Sequence, residues 1–80
     1  MPYITKKRRR ELTVSFNPKT AGELNYAITI LCLDYLENHK EKYQVYNDII
    51  GALECSKLEM YRRKIAVYEE KKKNENGDVY

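Results

Sequence analysis

Eighty residues, 34% of them charged and 42% hydrophobic, with a net charge of +3, allow one domain at most. A chain this short buries a modest core and often depends on disulfides, a metal or self-association. Two cysteines fall short of a secreted disulfide framework, no apolar run follows the basic N-terminus as in a secretory leader, and no charge-free stretch approaches transmembrane length. The expectation is a cytoplasmic protein with reduced thiols and no membrane partner.

Charge is unevenly spread. Residues 1–20 hold six basic groups and one acid, 21–48 two basic groups and five acids, and 49–80 seven basic groups and six acids. A positive N-terminal arm therefore adjoins an acidic helix, on which it can dock in the same chain or in a neighbour.

Residues 1–20 read as a basic arm or short helix. Residues 1–4 are expected to be extended, and Thr5 can cap a helix running to Leu12. Lys6, Lys7, Arg8, Arg9 and Arg10 then fall in its first turns, against the helix dipole, so counter-ions are needed. Such a run suits nucleic-acid phosphates; the bland reading is a solvated arm. Thr13 to Phe16 is β-prone without a partner strand and reads as an irregular segment or a helix end, with Phe16 plugging the end of the core. Asn17 and Pro18 signal a turn.

The spacing predicts a helix over about 21–39, opened by a Thr20/Glu23 capping box. It is apolar on two faces. Leu24, Ile28, Leu31 and Tyr35 form one stripe; Tyr26, Ile30 and Leu33 form another on nearly the opposite side. A surface helix usually has one such face. Two faces need two partners, so Tyr26, Ile30 and Leu33 are expected at a homo-oligomer interface, unless Leu12, Val14 and Phe16 fold back over them.

A short charged link, 39–43, leads to the longest predicted helix, about 44–73 and roughly 40 Å long. Tyr46, Ile49, Leu53, Met60 and Val67 recur at three- and four-residue steps, with Ser56 and Arg63 between them. Gly51 marks either a tolerated small residue or a bend or close approach. Asn74, Asn76 and Gly77 offer stop signals before a flexible tail, 74–80. The expected architecture is all-α: an antiparallel hairpin of two long helices, 21–73, with a short N-terminal helix or arm, assembled as a homo-oligomer.

No catalytic machinery is legible. His39 with the distant Cys32 and Cys55 matches no zinc spacing, and no nucleophile elbow or Gly-rich phosphate loop occurs. The expectation is a non-enzymatic protein with no metal and no cofactor. The remaining constellation is Tyr61, Arg62, Arg63 and Lys64, with Lys6, Lys7, Arg8, Arg9 and Arg10 of the arm. Arginine forks phosphate and tyrosine stacks on bases, so a phosphate-bearing partner, nucleic acid or small nucleotide, is one expectation. The other is a protein-interaction module that binds itself or a host protein through its apolar surface.

Three segments, GELNYAIT at 22–29, IGALECSKLEMYRR at 50–63 and ENGDVY at 75–80, resemble a family of small, largely uncharacterised helical proteins of bacteriophages and prophages. The resemblance covers about 21–80 and implies a host bacterial cytoplasm and nothing catalytic. It also draws attention to polar residues that core packing alone does not demand: Glu23, Asn25, Thr29, Glu54 and Glu59 beside the Tyr61, Arg62, Arg63 group.

Overall fold

The computed structural model describes residues 3–80. Those residues are helical or irregular, with no strand among them. The order is α1 (Lys6–Val14), α2 (Ala21–Asn38), α3 (Tyr43–Met60), a π-helical segment (Tyr61–Ile65) and α4 (Ala66–Asn76). Of the extended start expected at 1–4, the first two residues lie outside the described ones, and residues 3–5 carry no regular structure. The chain divides into two compact units, one ending at Tyr46, the other Asn47–Tyr80.

Local chemistry sets the helix ends. The Thr5 hydroxyl accepts from the Arg8 N–H at 3.2 Å, and the Thr20 hydroxyl from the Glu23 N–H at 3.1 Å. The Glu23 carboxylate does not close the capping box on Thr20. It reaches one residue further and accepts from the Lys19 N–H at 3.0 Å. At the far end Gly77 takes φ 93°, and its N–H bonds the Lys73 carbonyl at 2.8 Å. That left-handed conformation costs glycine nothing.

Of the two readings of the stretch after Leu12, the helix end holds for Thr13 and Val14: the first helix runs on through them, and the Thr13 hydroxyl donates to the Arg9 carbonyl at 2.7 Å. Other expectations change. Phe16 is half exposed and plugs nothing. The last helix continues to Asn76, so the irregular tail shortens to 77–80. Gly51 lies mid-helix with open space where a Cβ would sit.

In the first unit α1 packs on α2, and Leu12, Ala27 and Val45 are the buried hydrophobics among the described residues. Leu12 is fully buried. In the second unit no side chain is fully enclosed: Ala66 and Ile49 are half-buried, and the remaining apolar residues are exposed.

Candidate functional site

Two basic groups, one in each unit, were the expected phosphate contacts, and each is organised by a carboxylate of its own unit. In the first, the arm forms α1 and is only partly solvated. Arg8 turns inward: its Nε donates to Glu23 Oε1 at 2.7 Å, and its terminal nitrogens reach the Asn17 carbonyl and, at 3.9 Å, Glu11. Glu23 is only 14% exposed. The counter-ion demanded by five cations at a helix start is thus supplied from α2 of the same chain. Arg9 donates to the Ile4 carbonyl at 3.0 Å. Arg8 and Arg9 therefore work structurally, and Lys6, Lys7 and Arg10 are the arm's exposed cations.

The Lys19 N–H and then the Arg8 guanidinium hold the Glu23 carboxyl below its ordinary value of 4.5. A carboxyl lowered in the folded state contributes stability that is full above about pH 4.5 and lost as pH falls through the folded value. We expect the helix signal of the first unit to weaken on acidification below that point. Glu23→Gln should lower the melting temperature at pH 7 and flatten this acid dependence. Equal acid slopes for the two proteins would refute the assignment.

In the second unit Arg62 and Arg63 both pair with Glu59, Arg63 at 3.3 Å, and all three are largely exposed. Lys64 is exposed beside them. Two guanidiniums on one carboxylate leave the group Glu59, Arg62, Arg63, Lys64 with a local excess of positive charge. The Tyr61 hydroxyl donates to Glu69, which raises its pKa above the usual 10.0. A shallow groove there is lined by Tyr61, Glu69, Glu70, Lys73 and the tail residues Val79 and Tyr80. Glu70 pairs with Lys73 at 3.1 Å, and Lys72 with Glu75 at 3.1 Å while lying 5.6 Å over the Tyr68 ring. The lysine run is thereby largely neutralised.

The supporting polar residues serve locally. Asn25 accepts from Thr29 through its carbonyl at 2.8 Å and its side chain at 3.3 Å, and Glu54 pairs with Lys57 at 3.1 Å on the surface. His39 stacks on Tyr35 with centroids 4.1 Å apart, and its Nδ1 donates to the Tyr35 carbonyl at 2.7 Å, closing the end of α2. Cys32 and Cys55 are free, and Cys55 is exposed rather than set among apolar neighbours. No cluster of three His, Cys, Asp or Glu able to hold a metal occurs among the described residues. No helix among them is long and apolar enough to cross a membrane.

On α2 the apolar surfaces follow in part the alternative in which the N-terminal segment folds back: α1 packs on α2 and Leu12 is buried, while Val14 and Phe16 stay exposed. On α2, Tyr26 and Ile30 are half-buried, while Leu33 is 52% exposed. The stripe left open is the other one: Leu24, Ile28, Leu31 and Tyr35 are all exposed. Sequence reasoning marked Tyr26, Ile30 and Leu33 as the surplus face, yet α1 packs on α2 beside the buried Ala27 and leaves Leu24 and its neighbours uncovered.

The chain matches, over residues 1–79, the model of a family described as a domain of unknown function, DUF6899, and it belongs to that family. The match takes in the basic arm, which the phage-type resemblance did not cover. No curated protein and no solved structure matches the chain.

Proposed function

We propose that this protein is a non-catalytic helical interaction module that acts as a homo-oligomer. The observation that carries this reading is the exposure of apolar side chains along the second unit: Ile50, Leu53, Leu58, Met60, Ile65 and Tyr68 all lie open. A solitary helix is marginal in water and gains most of its stability from packing an apolar face. Exposed apolar surface on this scale marks a contact with another molecule. The stripe Leu24, Ile28, Leu31, Tyr35 on α2 adds a second such surface. The antiparallel hairpin, the phage-type context and the bacterial cytoplasm inferred from sequence enter as parts of the same proposal. Light scattering over a range of concentrations tests it. A mass above 9.6 kDa is expected, and a single-copy species at millimolar concentration would refute self-association.

A second reading rests on the excess positive charge at Arg62, Arg63 and Lys64 in the second unit and, separately, on the exposed Lys6, Lys7 and Arg10 of the first. These exposed cations suit a phosphate-bearing partner, nucleic acid or small nucleotide. Affinity for nucleic acid should then fall steeply with salt, and Arg62→Ala with Arg63→Ala should remove it without changing the solution mass. Salt-independent or absent binding in a gel shift excludes the nucleic-acid form; a nucleotide thermal-shift screen tests the other.

A further inference from the structure

The π segment changes which residues share a face. The Ala66 N–H bonds the Tyr61 carbonyl, five residues back, so this turn holds one residue more than an α turn. Everything after it is displaced by about one residue in phase, roughly 100°. In an uninterrupted α-helix the stripe through Leu53 and Met60 would continue to Val67, with Arg63 beside it. With the extra residue it continues to Ile65 and Tyr68. Met60, Ile65 and Tyr68 then fall within about 40° of Leu53, and Val67 turns well away. The Tyr61 to Glu69 hydrogen bond agrees. Eight α-helical steps would set the two about 80° apart, whereas seven steps and one extra residue put them on one side.

The re-phased stripe of Leu53, Met60, Ile65 and Tyr68 remains 38–60% exposed. Charge along the same helix is polar. Residues 47–60 carry three acids and one base; residues 61–76 carry six bases and three acids. Parallel pairing of two copies would set like against like. Antiparallel pairing sets each acidic half against the partner's basic half and opposes the helix dipoles.

Resting on the self-association proposed above, we infer that the occupant of this stripe is the same helix of a second copy. It lies antiparallel about a twofold axis near Met60 and Tyr61. The π segment is the device that keeps the seam apolar by removing Arg63 from it and bringing Ile65 in. Such an interface is isologous, each acidic half meeting the partner's basic half twice.

Ile65→Asp and Val67→Asp introduce the same charge two residues apart and discriminate the two phases. Ile65→Asp should convert the assembly to single copies; Val67→Asp should leave the mass unchanged. Deleting Lys64 removes the extra residue while keeping Ile65 and Tyr68 in phase with Leu53, so the deletion should still assemble. Orientation is read from a spin label at Glu75→Cys in a chain carrying Cys32→Ala and Cys55→Ser. Antiparallel copies place the two labelled backbones about 40 Å apart, parallel copies about 10 Å. If Val67→Asp dissociates the protein and Ile65→Asp does not, or the labels lie near 10 Å, the inference fails while self-association stands. If the unmodified protein is a single copy, the underlying reading fails first.

Discussion

Leu12→Ala is expected to cost about 2–4 kcal/mol and to release α1 from α2. Leu12 is the one fully buried side chain among the described residues, and it shares the interior of the first unit with only Ala27 and Val45. Neither neighbour is large enough to fill the space left by a lost isopropyl group, so the cavity term adds to the transfer term. Small domains hold only about 5–15 kcal/mol in reserve, and this unit has a smaller core than most. The far-UV circular dichroism melt should shift down by at least about 10 °C. Amide exchange across Lys6–Val14 should accelerate towards that of an unfolded segment. Loss of α1 also withdraws Arg8 from Glu23, so the variant should show the weakened acid dependence of Glu23→Gln. Leu12→Met, which conserves volume, should be close to neutral. A melt moved by less than a degree or two in Leu12→Ala would mean that Leu12 does not anchor the unit.

What sequence could reach was local chemistry. The caps at Thr5 and Thr20 depend on side chains within four residues of the bonds they make, and they stand where the spacing put them; Gly77 was one of three stop signals, and the helix runs past the other two to reach it. The need for a counter-ion at the arm was also legible, since five cations in a first turn demand one. Its identity was not, because Glu23 is fifteen residues from Arg8 and only folding selects it from the acids of α2. The two stripes of α2 are chemically alike, and periodicity cannot say which of them a neighbour covers. The π segment had no compositional mark. An extra residue in one turn shows in sequence only as a slip in apolar spacing, and the presence of Val67 at the α-helical step concealed it. The phosphate candidates had the right residue types, but type does not show that Arg8 and Arg9 are committed to the fold or that Glu59 holds two arginines.

Leu53→Asp should weaken assembly at least about 100-fold, because a carboxylate in a closed apolar seam loses its hydration without gaining a partner. Leu53 lies at the centre of the apolar run of α3 and is 38% exposed in the single chain. A second copy seated on this face would bury it further. In an isolated helix the same substitution would cost little, since aspartate is a modest helix former exposed to water. The size of the effect therefore measures whether the face is covered in solution. Helicity should fall together with mass as the protein is diluted, because the second unit has no interior of its own to hold its helix. Gly51→Ala gives the opposing control. Its Cβ meets open space, so it should stabilise the helix by about 1 kcal/mol and leave the mass as it is. If Leu53→Asp keeps both mass and helicity while Gly51→Ala raises helicity alone, the helix stands by its own propensity, and the apolar face has some purpose other than joining copies of this chain.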